Sequence, residues 1–234
     1  MRLSGMVGVW ASVLVLVTAV GCELGPQVRE IARPASPFQP TGIEKMAVVV
    51  LNATANPAVN ELEVAQIFST ELQQFAGVKV FPAAVVEAAV RTNRLVMPQQ
   101  AGELGRELNV DAVIVAFIND WDPYDTPSVG MMVLMYDTRN PVPAVQEGQA
   151  PAAVKPMVVL ERVYDSDQQQ VMAQVEQFAA SRNAGKGPMG AKSYVMVMSN
   201  YLHFVSDRVV RDLFAQVGGS VVQESPSQIG RNGS

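Results

Sequence analysis

The stretch KMAVVVLN, residues 45–52, decides the fold of this chain. Apolar, mostly β-branched side chains follow one another in it without polar alternation, which is the pattern of a strand covered on both faces. Such a strand requires helices on both sides of its sheet. We therefore expect an α/β domain built around this strand.

The segments downstream predict alternating helices and strands. Asn60 and Glu63 have the spacing of a capping box at the start of a helix. Apolar residues then recur at helical spacing at Ala65, Phe68, Leu72 and Phe75. Further elements are predicted at VKVF (78–81), AAVVEAAVRTN (83–93), PQQAGELGREL (98–108) and AVIVAFI (112–118).

The second half predicts two more strands and two more helices. The strands are GMMVLMYDTR (130–139) and KPMVVLERVYD (155–165), and the helices are QQQVMAQVEQFAASR (168–182) and SYVMVMSNYLHFVSDRVVRDLFAQV (193–217). The order is β-α-β-α-α-β-β-β-α-α. It predicts one layered α/β (α+β) domain, with a mixed sheet of about five strands and helices packed on it.

The first residues form a separate segment. After Arg2, the run MVGVWASVLVLVTAV (6–20) carries no charge and has the length of a signal-peptide core, shorter than the ~20 residues of a spanning helix. It ends in small residues before Cys22, and this arrangement resembles the lipobox of bacterial lipoproteins. The resemblance implies cleavage between Gly21 and Cys22, and attachment of lipid to Cys22.

An ordinary signal peptide with an incidental cysteine, or an uncleaved anchor, are the alternatives at this terminus. Acyl chains on Cys22 would give stable anchoring, at ~0.8 kcal/mol per buried methylene. Because Glu23, and not an aspartate, follows the cysteine, the resemblance implies the outer membrane with the domain facing the periplasm.

These features divide the chain into four parts. We expect a lipoprotein signal peptide, a proline-rich tether that begins with the lipidated cysteine, a periplasmic α/β domain and a disordered polar tail. Their predicted boundaries are 1–21, 22–41, 42–217 and 218–234.

Two stretches also carry a family resemblance, MAVVVLNATANPAVNELEVAQIFSTELQQFAGVKVFPAAVVEAAV (46–90) and AGELGRELNVDAVIVAFINDW (101–121). They resemble a periplasmic lipoprotein domain found in the curli secretion-channel lipoprotein, in the lipoprotein activators of penicillin-binding proteins and at the amino terminus of the Tol-Pal system's TolB. The resemblance covers about residues 43–137. It implies a domain that binds or assembles envelope proteins and has no enzymatic activity.

Composition excludes several classes of function. The chain is 49% hydrophobic and 17% charged, and its net charge of -5 comes without a basic cluster, so we expect no nucleic-acid partner. One cysteine and one histidine cannot form a disulfide framework, a cysteine zinc site or a multi-histidine metal site. The glycine-rich stretch GKGPMGAKS (185–193) has Ala191 where a phosphate loop requires lysine, which argues against a nucleotide.

The stretch NDWDPYDTP (119–127) brings three aspartates close to Trp121 and Tyr124. Read as a calcium loop from Asp120, it has Asp125 where glycine is required and Met131 where glutamate is required, so that motif fails. Two interpretations stay open. The stretch is either a polar turn with its aromatic residues folded over a sheet edge, or a partner-binding loop anchored by Trp121 and Tyr124.

The remaining candidates for catalysis have structural explanations. No nucleophile motif surrounds His203, so we expect a structural or surface histidine. Asp165 and Asp167 precede a predicted helix, where carboxylates cap the amino terminus. The sequence therefore predicts no enzyme, no cofactor and no metal.

Taken together, these patterns predict a lipid-anchored outer-membrane lipoprotein that scaffolds or regulates an envelope assembly without catalysis. Its partners would be the membrane, through Cys22, and other envelope proteins or further copies of itself. The first alternative is a subunit of an oligomeric secretion channel or ring. The second is a cell-wall hydrolase.

Overall fold

The computed structural model describes residues 42–74, 78–93, 100–124, 126–139, 155–182 and 189–223. The predicted signal peptide and tether lie outside these ranges, as do residues 140–154. None of the helices in the described ranges combines the length and apolar character needed to cross a membrane.

Five strands form one mixed sheet in the order β2-β1-β3-β4-β5. The first strand pairs in parallel with the second and the third, whereas the last two pairings are antiparallel. The predicted mixed sheet of about five strands is confirmed. The strands are β1 (Lys45–Asn52), β2 (Lys79–Val80), β3 (Ala112–Asp122), β4 (Ser128–Asp137) and β5 (Val158–Asp165).

Helices cover both faces of this sheet. One face, the α1 face, carries α1, α4 and α6, and the other, the α2 face, carries α2 and α3. The helices are α1 (Glu61–Gln73), α2 (Ala83–Asn93), α3 (Ala101–Leu108), α4 (Gln169–Ser181), α5 (Lys192–Met196) and α6 (Met198–Gln223).

The apolar run of β1 contributes to the hydrophobic core on both faces, as the sequence predicts. Met46, Val48 and Val50 pack on the α1 face, while Ala47 and Val49 pack on the α2 face. All five side chains are buried. This double burial explains why β1 shows no polar alternation.

The junction between α3 and β3 depends on two polar residues. Asn109 takes the left-handed conformation, with φ 52° and ψ 50°, and so ends α3. Asp111 accepts hydrogen bonds at Oδ2 from the main-chain N–H groups of Glu44 (2.9 Å) and Lys45 (2.8 Å). These two hydrogen bonds fix the start of β1 against the start of β3.

The start of α1 also agrees with the prediction. Asn60 is its N-cap, and its Oδ1 accepts a 3.3 Å hydrogen bond from the N–H of Glu63. Of the predicted apolar stripe, Ala65, Phe68 and Leu72 are buried, whereas Phe75 lies outside the described residues.

Two predictions at the carboxyl-terminal half are wrong in detail. The single final helix is broken at Val197, whose extended conformation (φ −125°, ψ 112°) separates α5 from α6. The capping role of Asp165 and Asp167 fails because Gln168 is the N-cap of α4 and makes no side-chain capping bond. Asp165 instead closes a tight turn by accepting a 3.0 Å hydrogen bond from the N–H of Asp167. The helix α6 extends to Gln223.

Candidate interaction surface

The end strand β5 exposes apolar side chains on the α2 face. Val159 and Val163 are 55% and 54% exposed, and Glu161 lies exposed between them. On β4, Leu134 lies opposite Val159, Met132 lies opposite Glu161 and Gly130 lies opposite Val163. Leu134 and Met132 belong to the α2-face core. The row Val159, Glu161 and Val163, which we call the open strip, therefore continues that core to the edge of the sheet.

One polar contact crosses the sheet next to the open strip. Nδ2 of Asn119, on β3, donates a 3.3 Å hydrogen bond to Oε1 of Glu161, on β5. Gly130 on β4 lies beside Asn119, because a Cβ atom at position 130 would be 2.5 Å from Oδ1 of Asn119. Glycine at this position thus leaves the space in which Asn119 lies.

The segment 119–127 contains more strand than the sequence indicates. β3 continues through Asp122, and a register shift between Ile118 and Asp120 turns Trp121 toward the α1 face, where it packs half-buried against the core. Tyr124 is 75% exposed at the tip of the β3–β4 hairpin. The two aromatic residues of the predicted partner-binding loop therefore have different surroundings: Trp121 is half-buried and Tyr124 is exposed.

The aspartates of the same segment are engaged locally. Asp120 accepts a 2.8 Å hydrogen bond from Oγ of Ser128, and Asp122 accepts one of 3.0 Å from the N–H of Tyr124. Asp125 lies outside the described residues. Among the described residues, no group of three or more potential metal ligands comes together.

A buried carboxylate joins three helices at another place. Glu71, on α1, has a side chain only 1% exposed, forms an ion pair with Arg182 at the end of α4 and contacts the imidazole of His203 on α6. The Nδ1 atom of His203 lies 2.7 Å from Oε1 of Glu71, and Gln74 donates a 2.9 Å hydrogen bond to Oε2. His203 thus takes part in a contact between α6 and α1.

Two small clefts lie beside β1. The larger lies between β1, α1 and α2 and has a volume of about 90 Å³, and a second, between β1 and α3, has about 20 Å³. Pockets for small-molecule ligands usually measure ~300–1,000 Å³. Both clefts are smaller than this range.

Several predicted sites lie outside the described residues. These are Cys22 with the cleavage position after Gly21, and the glycine-rich stretch as far as residue 188. The last two residues of that stretch begin α5, a helix of five residues (Lys192–Met196).

The chain matches no protein-family model and no curated protein sequence. It is similar to several solved structures. One is the lipoprotein GNA1162 from Neisseria meningitidis, at 20% identity over 60% of this chain and 96% of that one, with a TM-score of 0.41. A PelC dodecamer from Paraburkholderia phytofirmans has 14% identity over 75% and 89%, with a TM-score of 0.36.

A third is the C-terminal domain of LpoB from Salmonella enterica, at 12% identity over 51% and 81%, with a TM-score of 0.35. GNA1162 is a lipoprotein, the class that the sequence predicts for this chain. With TM-scores below 0.5, these similarities assign neither an activity nor a partner to the present chain.

The open strip was not predicted from the sequence. In KPMVVLERVYD, the valines of the strip and the buried residues Val158 and Leu160 are the same kind of side chain. The one signal was the alternation of Val159, Glu161 and Val163 in a strand that follows a long connection, a pattern typical of a strand at the end of a sheet.

Proposed function

We propose that this chain is a lipoprotein anchored through Cys22 in the bacterial outer membrane, with residues 42–217 facing the periplasm. The domain scaffolds or regulates an assembly of envelope proteins and is not an enzyme. Residues 1–21 are the cleaved signal peptide, residues 22–41 tether the domain to the membrane, and the polar tail follows. The lipobox pattern before Cys22 supports the anchoring.

The open strip is the observation that supports the binding function. Exposed valines on an end strand, beside main-chain groups that no described strand pairs with, form a surface that another protein can cover. Burial of apolar area is worth roughly 25 cal/mol per Å², so covering Val159 and Val163 favours association. An extended strand of a partner could also bond to the edge of β5.

The candidate catalytic residues support a non-catalytic domain because each has a structural partner. His203 contacts the buried carboxylate of Glu71, and Asp165 closes the turn before α4. Neither residue lines one of the two clefts described above.

Two measurements on the mature protein test the anchor. Mass spectrometry of the amino-terminal peptide is expected to show a lipid-modified Cys22 as the first residue. The Cys22→Ser variant is expected to leave the outer-membrane fraction. An unmodified cysteine, or a variant that stays with the membrane, would contradict the proposed anchoring.

Photo-crosslinking tests the binding surface. A benzoylphenylalanine residue is placed at Val163, or at Glu176 as a control, because Glu176 is exposed on α4, on the opposite face of the sheet. Adducts with envelope proteins, including further copies of this chain, are expected at position 163 in several-fold excess over position 176. Equal adduct formation at both positions would contradict a binding role of the open strip.

A further inference from the structure

The two ends of the sheet carry complementary side chains on the same face. On β5, Glu161 and Val163 lie on the α2 face. At the other end, Lys79 is exposed on β2, and Phe81 packs half-buried on the α2 face. Each end thus has a charged residue with an apolar residue two positions after it. The charges of Glu161 and Lys79 are opposite, and Val163 and Phe81 are both apolar.

The main-chain groups at the two ends also match. On β2, the N–H groups of Lys79 and Phe81 donate to Glu44 (2.7 Å) and Met46 (2.9 Å), so the main-chain groups of Val80 point away from β1. On β5, Ser166 donates to Pro127 on the β4 side (3.1 Å). Because antiparallel pairs alternate, the main-chain groups of Glu161 point away from β4.

We propose that β5 of one copy of the chain binds β2 of a second copy as a parallel strand, so that one sheet continues into the next. Glu161 then lies opposite Lys79 of the second copy, and Val163 lies opposite its Phe81. In a parallel ladder, a residue bonds to the two neighbours of the residue opposite it. Glu161 therefore bonds to Val78 and Val80 of the second copy, whose main-chain groups are the ones that point outward.

The same arrangement covers the apolar surface that the isolated chain leaves open. β5 runs parallel to β1 and β2 within one copy, so the second copy keeps the same face of its sheet on the same side. On that side its α2 begins directly after β2 and exposes Val85, which is 48% accessible. The neighbour's α2 consequently lies beside Val163, where the chain's own helices leave a gap.

The contact is heterologous, because it uses one end of the sheet in one copy and the other end in the next. Repetition of such a contact gives a ring or an open row of copies and not a closed two-fold dimer. The inference rests on the proposed function, since a lipid anchor would hold all copies with the same side toward the membrane. Pro82, which has no N–H group, ends the strand pairing after β2 and keeps the main-chain contact short.

Paired cysteines test the geometry in the full-length chain in bacterial membranes. Glu161→Cys and Lys79→Cys in one chain are expected to form disulfides between copies and to give a ladder of dimers, trimers and larger species under oxidising conditions. Opposite residues of paired strands lie within the 4.4–6.8 Å Cα separation, roughly, that a disulfide needs. The matched control pairs Lys79→Cys with Glu176→Cys, on the opposite face, and is expected to stay monomeric.

Three outcomes would overturn the inference. These are the absence of crosslinked species from the pair, an equal ladder from the control pair, and a dimer from Glu161→Cys alone. The last would indicate two-fold pairing of β5 with itself. The parent chain, with Cys22 alone, separates the two proposals: a disulfide dimer from it would contradict lipidation of Cys22, whereas a failed ladder with a lipidated Cys22 contradicts only the strand contact.

Charge reversal provides the second test. Sedimentation of the detergent-solubilised chain in the analytical ultracentrifuge measures the dissociation constant of the contact between copies. Glu161→Lys and Lys79→Glu each place like charges opposite one another, and each is expected to raise the dissociation constant roughly two- to fivefold. The double variant restores the opposite charges and is expected to return the constant to that of the parent. If the double variant binds as weakly as the singles, or if the singles bind as tightly as the parent, the pairing is wrong.

Discussion

Nδ1 of His203 lies 2.7 Å from Oε1 of Glu71, and this contact joins α6 to α1 in the core of the α1 face. The Glu71 side chain is 1% exposed, whereas that of His203 is 35% exposed. Glu71 is therefore the member of the pair that depends on its partners, because a buried carboxylate has no water to replace a lost donor.

Removal of the imidazole is expected to destabilise the domain. We predict that His203→Ala lowers the free energy of unfolding by about 1.5–3 kcal/mol, the range for a hydrogen bond to a charged group. Urea unfolding monitored by tryptophan fluorescence measures this value. The control is Arg91→Ala, which breaks the exposed Arg91–Glu87 pair on α2 and is expected to cost at most ~0.5 kcal/mol. If both variants lose the same free energy of unfolding, the contact between His203 and Glu71 does not stabilise the domain as predicted.

Gly105 on α3 packs against Thr138 at the end of β4. A Cβ atom at position 105 would lie 2.2 Å from Cγ2 of Thr138. Alanine is favoured over glycine inside a helix by ~1 kcal/mol, but overpacking typically costs ~1–3 kcal/mol. We predict that Gly105→Ala lowers the free energy of unfolding on balance, as measured by thermal denaturation.

The variant Thr138→Ser provides the matched background for this prediction, since it removes Cγ2 and keeps the hydroxyl that donates to the carbonyl of Val110. Gly105→Ala is expected to be less destabilising in that background than in the parent. A stabilising effect of Gly105→Ala in the parent chain would contradict the close packing of α3 on β4.

The strand β1 and the break at Val197 show what the sequence can and cannot predict. A continuous apolar run has one explanation, burial on both faces, and β1 confirms it. The break at Val197 lies inside an apolar pattern that continues without glycine or proline. The local sequence therefore carries no helix-breaking signal at this position and does not predict the break.

The same limit applies to the candidate site. The polar character of residues 119–127 predicts a turn, but β3 continues through a register shift and Trp121 packs half-buried against the core of the α1 face. The exposure of Val163 depends on which strand lies at the end of the sheet and on where the helices lie. The alternation in β5 indicates a strand at the end of the sheet, but it does not encode where the helices lie.

Asp111 is predicted to stabilise the start of the sheet. Its Oδ2 accepts hydrogen bonds from the N–H groups of Glu44 and Lys45, so Asp111→Ala leaves two donors without this acceptor. We expect a loss of about 1–3 kcal/mol in the free energy of unfolding, measured by urea denaturation. The control Asp167→Ala, at an exposed turn position, is expected to stay within ~0.5 kcal/mol of the parent. An unchanged free energy of unfolding in Asp111→Ala would contradict a stabilising role of these two hydrogen bonds.

The ion pair of Asp137 with Arg139 predicts a pH dependence. A side-chain hydrogen bond from Arg139 holds the pKa of the Asp137 carboxyl below its usual value, and the same bond raises the pKa of Arg139. The folded chain therefore binds a proton at Asp137 less readily than the unfolded chain. The stabilisation is fully present above the usual aspartate pKa of ~3.9 and is lost as the pH falls through the lower folded pKa.

We predict that Asp137→Asn flattens the loss of stability between about pH 5 and about pH 2, measured as the free energy of unfolding in urea at each pH. Because Arg139 is 38% exposed in its side chain, the difference is expected within the ~0.2–1 kcal/mol range of surface ion pairs. Arg139→Gln removes the other partner and should flatten the same pH interval by a similar amount. The double variant should add nothing further, because one interaction accounts for both effects. A pH profile of Asp137→Asn that parallels the parent would contradict the coupling.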